Sequence, residues 1–543
     1  MKRLICMVAG AMLAFGCNGN VTPEKVYEKP LVTPTKVTFE QLGYTSDIII
    51  RWKDNSEGEV AFSIWNGKEQ VATVPANTTE YLYQGLEQGR NYSIGVRADA
   101  GDPVLHSDIK YADVAIADYS KIPFPQIQEV SSSPTSLGVS YNFKKIQYAT
   151  KEAWGLCWSA DHTPTIEDAH AHGPIVLRDE NPIFQAIPNV TLDYGRTYRI
   201  RAYVMFEGTA YYSDEVEASL GNEPEAVTLS WDRMDIEGLP ADIEVYSTTQ
   251  KLNGRPFNAW YAVADITKGN VEWRVRIPSA SATVDKQFQD ADGECYVLTN
   301  GAYFNMSTGT NLGFSSFKGS MTGSVETAAG TLAGGFPESS SYYFVNKGTF
   351  GVDAGGNPSA YWIGTGNGVN YFYDSPMATV KGRDKYQAPS AGYPTQSVDW
   401  NPYYAITAGP VLVKNGKIVF DDVLTQPTED SKNEFFLTNW ELTAYDIFSA
   451  TLSPDRTAVG YTADGKVILF VCDGRIVASE GATIFELAQI MKGLGCVDAV
   501  NFDGGGSTAM VAMGKRLNSL VSNTSGATEN RKVASTMGFF IKK

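Results

Sequence analysis

Short apolar segments dominate the first 220 residues of the chain. Three of them lie at 48–52, 60–65 and 92–98, and turn residues separate them. Apolar segments of this length, bounded by turn residues, predict strands. Several short strands at this spacing predict a β-sandwich over residues 37–117. A similar pattern, with a strong strand at 198–203, predicts a second sandwich over 118–221.

Particular residues of the first sandwich are similar to those of a known module. Trp52 lies in the strand-like segment 48–52, and Leu86 and Tyr92 precede the segment Val96-Arg97-Ala98. This arrangement resembles a fibronectin type III domain. The resemblance implies that Trp52 is the core tryptophan and that Tyr92 is the tyrosine-corner residue.

The second sandwich repeats part of that arrangement. The segment 192–195 precedes Tyr198 as the segment 86–89 precedes Tyr92. The strand 154–159 resembles one that is frequent in fibronectin-like modules of bacterial lipoproteins. We therefore predict two immunoglobulin-like, fibronectin type III-like sandwiches in series.

Residues 222–543 follow a different pattern, in which longer apolar strands surround one helix. Residues 482–495 place apolar side chains at helical spacing and end at glycines, which predicts an amphipathic helix. Strand, helix and strand then place Asp473 and Asp503 at the carboxyl ends of two strands, which we expect to be neighbours in one sheet. The fold class predicted for this unit is α+β, with a mixed β-sheet core.

The N-terminus is typical of an export signal. Lys2 and Arg3 precede an apolar run over 4–15 that is too short to span a bilayer, and Cys17 follows Ala14-Phe15-Gly16. Small residues before a cysteine resemble the lipobox of bacterial lipoproteins, which implies a lipoprotein signal peptide over 1–17 and lipidation of Cys17. The alternative is an ordinary cleavable signal with an incidental cysteine. We predict a tether over 18–36 and a lipid-anchored protein of the bacterial envelope, in the outer membrane on its periplasmic or surface face.

Charge and histidine content then narrow the classes of function. The 543 residues carry 44 Lys and Arg against 61 Asp and Glu, a formal net charge of -17. Without a basic stripe, nucleic acid is excluded as a partner, and the lipid anchor is the only membrane contact that we expect. All four histidines precede residue 173, so residues 222–543 hold no Ser-His-Asp or Cys-His site and no histidine-ligated zinc.

The other histidine and cysteine patterns predict ordinary structure. His170 and His172 flank one alanine, which would place both on one face of a strand, but Gly173-Pro174 follows and favours a solvated loop over a metal site. No CxxC motif occurs, so we expect Cys157, Cys295, Cys472 and Cys496 to be buried thiols rather than a disulfide framework; a bridge between the last two remains the alternative.

The segment 499–510 carries the strongest local signal. An apolar strand runs into Asp503, three glycines, Ser507 and Thr508. Consecutive glycines at the end of a strand cost backbone entropy, and they suit a site where the backbone approaches a ligand with its amides facing an anion. A plain tight turn is the alternative.

Further motifs precede and follow this segment in a fixed order. They are TNGAYF at 299–304, ITAGPVLVKNGK at 406–417, RTAVGY at 456–461, VCDGR at 471–475, the helix, NFDGGGST at 501–508 and a late Arg531-Lys532-Val533. The ordered set resembles the phosphodiester glycosidase family over roughly 250–543. The chain departs from the family with Asn300-Gly301-Ala302-Tyr303, where Asn-Gly-Gly-Phe is usual. It also has insertions at 306–341 and a long loop at 374–403, which we expect to shape the substrate pocket.

The resemblance implies hydrolysis of a sugar-1-phosphodiester with release of the free sugar. The oxocarbenium-like transition state calls for carboxylates, for which Asp503 and Asp473 are the candidates, and Arg456 and Arg531 would each offer a bidentate fork to phosphate. A cradle of backbone amides and hydroxyls would complete the site. The candidate substrate-binding residues are Asn300, Tyr303, Thr407, Gly409, Gly504, Gly505, Gly506, Ser507 and Thr508.

Two alternatives remain open. Asp473, Asp503 and Thr407 are possible ligands of a Mg or Ca ion, since both metals prefer oxygen. A non-catalytic glycan-binding surface lipoprotein is the competing function, because two fibronectin-like modules on an acyl anchor suit that role.

Overall fold

The computed structural model describes two compact units, 1–121 and 122–543. The predicted signal peptide, Cys17 and most of the predicted tether lie outside the described residues. No helix in the described part of the chain is long and apolar enough to cross a membrane. The described residues are 31–100, 105–144, 153–173, 182–268, 270–291, 293–325, 328–329, 342–343, 346–376, 390–392, 396–419, 454–520, 528 and 530–542.

The first unit is built from two antiparallel sheets. One has the strand order β1-β2-β5 and the other β4-β3-β6-β7. Its core includes Trp52, which packs on Phe62, and the Tyr92 hydroxyl accepts a hydrogen bond of 2.8 Å from the Glu87 amide, as a tyrosine corner requires. The strands are β1 (Thr35–Gln41), β2 (Ile48–Lys53), β3 (Ala61–Asn66), β4 (Glu69–Pro75), β5 (Glu80–Tyr83), β6 (Asn91–Asp99) and β7 (Lys110–Ala115).

The second unit opens with another pair of antiparallel sheets. Their orders are β12-β9-β8 and β11-β10-β13-β14, with β15 also paired to β13. The Tyr198 hydroxyl accepts from the Asp193 amide at 2.8 Å, which repeats the geometry of Tyr92. The elements are β8 (Pro125–Ser132), β9 (Ser136–Phe143), β10 (Trp154–Ser159), β11 (Ala169–His172), β12 (Ile183–Pro188), a 3-10 helix (Asn189–Thr191), β13 (Thr197–Phe206), β14 (Thr209–Tyr212) and β15 (Val216–Ser219).

The loop expected at His170 and His172 is wrong, because both residues lie in strand β11. That strand pairs with β10, and backbone pairing there outweighs the turn signal of the Gly-Pro that follows. The His172 ring shares a hydrogen bond of 2.6 Å with the Tyr203 hydroxyl, and burial lowers the pKa of His172. Among the described residues no group of three or more His, Cys, Asp and Glu is placed to hold a metal ion.

The remainder of the second unit consists mainly of three large sheets. Their strand orders are β16-β17-β18-β32-β31-β33-β29-β30, β19-β36-β20-β34-β35 and β22-β21-β28-β25-β26-β27. They share one apolar core, and Trp273 and Trp362 are its largest fully buried side chains. The strands up to β26 are β16 (Asp232–Arg233), β17 (Ile243–Thr248), β18 (Ala259–Asp265), β19 (Val271–Arg276), β20 (Cys295–Asn300), β21 (Ser315–Phe317), β22 (Ser320–Thr322), β23 (Ala328–Ala329), β24 (Tyr342–Tyr343), β25 (Lys347–Val352) and β26 (Pro358–Gly366).

Two helices accompany these sheets in the described residues. Helix α2 carries a capping box between Thr483 and Glu486, and its apolar face packs on the eight-stranded sheet, as its sequence period predicts. The remaining elements are α1 (Val284–Gln289), β27 (Val369–Tyr373), β28 (Tyr404–Thr407), β29 (Val411–Lys414), β30 (Lys417–Ile418), β31 (Arg456–Thr462), β32 (Lys466–Cys472), α2 (Ile484–Gly493), β33 (Cys496–Phe502), a 3-10 helix (Gly505–Ser507), β34 (Met510–Ala512), β35 (Lys515–Arg516) and β36 (Thr536–Ile541).

The α+β class with a mixed sheet is not supported for this part of the chain. Every strand pairing described is antiparallel, and strands far outnumber helices. The connection through α2 does run between two strands of the same direction, β32 and β33. They are not paired with each other, because β31 lies between them and opposes both.

The four described cysteines of the two units, Cys157, Cys295, Cys472 and Cys496, are free thiols and all are buried. Burial raises the pKa of each of these thiols. A buried thiol with a raised pKa is a poor nucleophile, so these side chains act as small apolar groups of the core.

A buried ion pair fixes the hairpin of β29 and β30 against β33. Lys414 Nζ donates to Asp498 Oδ2 at 2.8 Å and to the Ala360 carbonyl at 2.6 Å, and the Tyr461 hydroxyl donates to the same carboxylate oxygen at 3.0 Å. The side chains of Lys414 and Asp498 are 7% and 1% exposed. The Asn415 amide also donates to Asp498 Oδ1 at 2.9 Å, but each of the two side chains has the other as its ion-pair partner, so loss of either leaves a buried charge without its counter-charge.

We expect Lys414→Met to destabilise the protein by about 3–5 kcal/mol, because it leaves the Asp498 carboxylate buried and unpaired. Urea unfolding monitored by tryptophan fluorescence measures this loss. The double variant Lys414→Met/Asp498→Leu should recover most of it. A double variant as unstable as the single one would show that packing, rather than the charge, carries the effect.

Candidate active site

The ends of five strands from two sheets meet on one side of the large core. Asp473 follows β32 and Asp503 follows β33, while β31 begins between them with Asp455 and Arg456. Asp473 and Asp503 were expected to follow neighbouring strands. That expectation is wrong, although both residues lie at the same edge of the eight-stranded sheet. The end of β20 and the start of β36, in the five-stranded sheet, face this edge.

Asn300 joins the two sheets at this point. Its Nδ2 donates to the Asp503 carbonyl at 2.6 Å, and its Oδ1 accepts from the Thr457 hydroxyl at 2.8 Å and from the Ala509 amide at 3.1 Å. The side chain is fully buried. The structure therefore gives Asn300 the role of holding Asp503 and its turn in place, instead of the sugar contact that the sequence suggested.

Each glycine of the run after Asp503 meets a different neighbour. A Cβ on Gly504 would lie 2.7 Å from the Asp455 carbonyl oxygen, which also accepts from the Gly505 amide at 2.9 Å. Gly505 has a φ of +58°, and a Cβ there would lie 3.1 Å from Arg475 Nη2. A Cβ on Gly506 would lie 2.6 Å from Arg531 Nη2. Glycine is needed at these positions because backbone and two guanidinium groups approach closely.

Asp503 is half-buried beside that turn. Burial raises the pKa of its carboxyl to about 6, against the opposing effects of the Ser507 hydroxyl, Arg531 and the Gly504 amide. Arg531 Nη1 in turn lies 3.4 Å from the Ser507 hydroxyl. Within the described residues Arg531 has no ion-pair partner within 4.0 Å, and the residue is half-buried. A carboxylate with a pKa close to neutral and an available guanidinium therefore lie on either side of Ser507.

Asp455 and Arg475 form a second charged pair at the site, which the sequence analysis did not single out. Arg475 donates from Nε and Nη2 to Asp455 Oδ2 at 3.1 and 3.0 Å, and the Gly474 amide donates to Oδ1 at 2.9 Å. Burial raises the pKa of Asp455 to about 6. The sequence did contain a signal for these two residues, because Asp455 directly precedes the RTAVGY motif and Arg475 is the last residue of VCDGR. Only the fold shows that they meet beside Gly505.

Two of the predicted catalytic residues lie elsewhere than expected. Arg456 is 2% exposed, its Nε donates to the Ala482 carbonyl at 2.9 Å on the helix side of the sheet, and burial lowers its pKa to about 10. Its assignment as an open fork for phosphate is therefore contradicted. Successive residues of a strand point to opposite faces, so Thr457 faces Asn300 while Arg456 faces α2.

Asp473 is also enclosed. The Ser519 amide donates to its Oδ1 at 3.0 Å, Oδ2 is buried without a hydrogen-bond partner, and burial raises its pKa. The carboxyl does not share a contact with Asp503, which interacts with Ser507 and Arg531. Asp473 therefore supports the loop at Ser519, and its carboxyl is separate from the turn that holds Asp503.

The other predicted binding residues line or support the same edge. The Tyr303 hydroxyl, which the usual phenylalanine lacks, donates to the Gly409 carbonyl at 3.0 Å and accepts from Asn501 Nδ2 at 2.9 Å. Thr407 is buried and its hydroxyl is 2.7 Å from that of Thr349. Thr508 is buried with its hydroxyl 3.4 Å from that of Thr457.

The proposed metal ligands do not converge in these contacts. The side chains of Asp473, Asp503 and Thr407 each have separate partners, Ser519, Ser507 and Thr349. The described contacts give no support to a shared Mg or Ca site.

The close approach of Arg531 to Gly506 makes a direct prediction. Gly506→Ala should displace the guanidinium, because the added Cβ overlaps it, and should raise the Kd for a sugar-1-phosphate at least tenfold. Isothermal titration calorimetry measures the affinity. Gly514→Ala is the control for backbone strain. An added Cβ has room at Gly514, but the backbone there is left-handed. Unchanged affinity in Gly506→Ala would show that Arg531 does not contact the phosphate.

Part of the chain is similar to a known protein family. A family model described as phosphodiester glycosidase matches residues 340–540. This segment of the chain is similar to the phosphodiester glycosidase family. It contains the RTAVGY, VCDGR and DGGGST motifs and Arg531, so the resemblance inferred from those motifs is confirmed.

Individual relatives are matched over shorter segments. The chain is 32% identical over 115 residues to the mouse N-acetylglucosamine-1-phosphodiester alpha-N-acetylglucosaminidase, which is 21% of this chain and 20% of that protein. It is 34% identical over 65 residues to an uncharacterized SPbeta prophage-derived protein of Bacillus subtilis, 12% of this chain and 10% of that one. The chain thus spans about a fifth or less of the length of these curated relatives.

Among solved structures, the chain is similar to the catalytic domain of the zebrafish N-acetylglucosamine-1-phosphodiester alpha-N-acetylglucosaminidase auto-inhibited by its pro-peptide. The identity is 20%, the TM-score is 0.35, and the match covers 58% of this chain and 89% of that one. A two-domain fibronectin type III segment of chicken tenascin matches 35% of this chain at 11% identity and a TM-score of 0.16, covering 99% of that segment.

Proposed function

We propose that the protein is an exported, lipid-anchored phosphodiester glycosidase of the bacterial envelope. It hydrolyses a sugar-1-phosphodiester and releases the free sugar from a glycan or glycoconjugate. The single observation that carries the proposal is the arrangement around the glycine run, where Asp503, Arg531 and Arg475 surround one turn. The activity that gives the mouse relative its name agrees with it.

The charges at this turn suit a phosphodiester. Asp455 offsets the charge of Arg475. No carboxylate oxygen lies within 4.0 Å of the Arg531 guanidinium among the described residues, although Asp503 is near enough to interact with its charge, so the hydrogen-bond donors of Arg531 remain available to an anionic group. A planar guanidinium can donate two parallel hydrogen bonds to phosphate oxygens. Arg531 therefore binds the leaving phosphate, and Arg475 is placed to assist through the nitrogen that does not contact Asp455.

The reaction breaks the bond between the anomeric carbon and the phosphate oxygen. The electron pair leaves with the phosphate, where Arg531 stabilises the developing charge, and water supplies the hydroxyl of the free sugar. The water proton passes to Asp503, and the ionised carboxylate also stabilises the oxocarbenium-like transition state. A phosphate leaving group needs little protonation, which agrees with a site that presents one half-exposed carboxylate.

Turnover decides between this enzyme and a non-catalytic glycan-binding lipoprotein. The purified protein is incubated with a panel of sugar-1-phosphodiesters, and free reducing sugar and phosphomonoester are measured in parallel. We expect equimolar release of both products from at least one member. Saturable binding of members of the panel without release of either product would instead establish the binding lipoprotein.

The location is tested separately from the activity. Metabolic labelling with an alkyne fatty acid should label the protein expressed with residues 1–17, and Cys17→Ser should abolish the label. A protein that remains soluble and unlabelled would contradict the anchor and would leave the glycosidase proposal unaffected.

A further inference from the structure

A groove with a volume of about 430 Å³ lies along the edge strand β19, away from the glycine run. Glu272, Arg274 and Arg276 line it from β19, Phe317 and Lys318 from the β21–β22 hairpin, and Tyr403 and Phe540 from other strand ends. The start of β36, next to Ser535, faces the edge of the sheet that carries the glycine run. Phe540 lies five residues further along that strand, which at strand spacing is about 17 Å away. The volume is in the range of ligand sites.

Two accessible aromatic rings, Phe317 and Tyr403, lie on one side of the groove, and the buried ring of Tyr404 packs edge-on against both. The ring centres of Phe317 and Tyr404 are 5.6 Å apart, and those of Tyr404 and Tyr403 are 4.9 Å apart. Phe317 is 47% exposed, although a ring of this size is usually covered. Such a face suits the apolar C–H face of a sugar ring, and the half-exposed Tyr403 supplies an aromatic with a polar end.

The charges opposite these rings are unequal. Arg274 pairs with Glu272 and lies 3.5 Å from Glu294, so those three groups largely satisfy one another. Arg276 and Lys318 have no carboxylate within 4.0 Å among the described residues, and Lys318 Nζ lies 5.8 Å from the centre of the Phe317 ring. In a protein of net charge -17, two available cations beside an exposed ring favour an anionic ligand.

From this combination we infer that the groove is a second carbohydrate site, which binds an anionic saccharide, a chain that carries phosphate or carboxylate groups. Sugar rings stack on Phe317 and Tyr403, the Arg274 and Glu272 pair offers donors and acceptors to hydroxyls, and Arg276 and Lys318 bind the anionic group. The inference relies on the proposed function only for the class of ligand. It gives the protein a means of holding a polymeric substrate apart from the bond that is cleaved.

Affinity gel electrophoresis tests the groove with three polymers: phosphomannan, polygalacturonate and neutral mannan. The assay uses the full chain carrying Asp503→Asn, so that no polymer is consumed. We expect Kd for at least one anionic polymer to be tenfold or more below that for mannan. Stronger retardation by phosphomannan would identify phosphate as the recognised group, and stronger retardation by polygalacturonate would identify carboxylate.

Two variants with matched controls locate the binding. Phe317→Ala should raise Kd for the anionic polymer at least tenfold, and Lys318→Asn should remove most of the preference over mannan. Asn tolerates the left-handed backbone of Lys318, where φ is +51°. Val369→Ala, at a hairpin residue that is 48% exposed, and Lys515→Asn, at an exposed hairpin lysine, should change neither quantity.

The results separate this inference from the proposed function. In the chain with Asp503 intact, Phe317→Ala and Lys318→Asn should hydrolyse a small sugar-1-phosphodiester at the wild-type rate. If polymer binding depends on Phe317 but the protein shows no turnover, the groove is a carbohydrate site and the glycosidase proposal is wrong. If neither groove variant changes binding, or if all three polymers are retarded equally, the inference that the groove binds an anionic saccharide is wrong.

Discussion

We expect Asp503→Asn to abolish nearly all hydrolysis, with a loss in kcat of about 10²–10⁴-fold, the range that a positioned acid–base group contributes. The amide keeps the shape of the side chain but can neither take the water proton nor stabilise a developing positive charge. Initial rates on a sugar-1-phosphodiester measure the loss. Because the sugar contacts remain, KM should change much less than kcat.

The variant should remain folded. Burial raises the pKa of Asp503 to about 6, so the ionised carboxylate is disfavoured in the folded state and its replacement costs little stability. Asp464→Asn, at an exposed hairpin position, is the control and should retain wild-type activity. A wild-type rate in Asp503→Asn would show that this carboxylate takes no part in the mechanism. If the variant shows no thermal unfolding transition, its loss of activity reflects loss of the fold.

The pH dependence has a defined sign. Activity requires ionised Asp503, so kcat should fall as the pH drops below about 6. The free energy of unfolding depends on pH in the opposite direction. The pKa of Asp503 in the folded protein lies above the ordinary value of about 3.9. The stabilisation that protonated Asp503 contributes is therefore present in full below about pH 4 and is lost as the pH rises through about 6.

A second carboxyl with a similar pKa, Asp455, requires its own control. Asp455→Asn should retain an acidic limb near pH 6 if Asp503 is the group that titrates. If the limb disappears in that variant, the Asp455 and Arg475 pair sets the pH profile.

Arg531→Ala should reduce kcat/KM by about 10²–10³-fold, because it removes the guanidinium that lies against Gly506 without a carboxylate partner in the described residues. The effect should appear in kcat as well as in KM, since charge on the phosphate increases as the bond breaks. Steady-state kinetics and competitive inhibition by inorganic phosphate measure both parts.

Neighbouring variants determine whether geometry or charge is responsible. Arg531→Lys should recover little, because an ammonium lacks the planar fork. Lys532→Ala removes the same charge from an exposed adjacent residue and should change kcat/KM less than twofold. If Arg531→Ala and Lys532→Ala lower kcat/KM equally, Arg531 acts only through its positive charge and not through a direct contact with the phosphate.

The sequence by itself determined the features that depend on local chemistry. Short strand-like segments bounded by turn residues identified strands in both sandwiches. The 482–495 pattern gave helix α2 within two residues at each end. The order of motifs, with the triple glycine and Arg531, gave the family. All of these signals lie within a few residues of one another or in fixed order along the chain.

Only the tertiary structure decided which side chains face the site. One residue of register along β31 turns Arg456 toward α2 and leaves Thr457 toward Asn300, so a motif arginine became part of the core. The left-handed backbone at Arg475, with φ of +57°, brings its guanidinium to Asp455 across twenty residues of sequence. The insertion of β31 between β32 and β33 separates the strands that end at Asp473 and Asp503. Strand order and burial are set by distant partners, and no short motif encodes them.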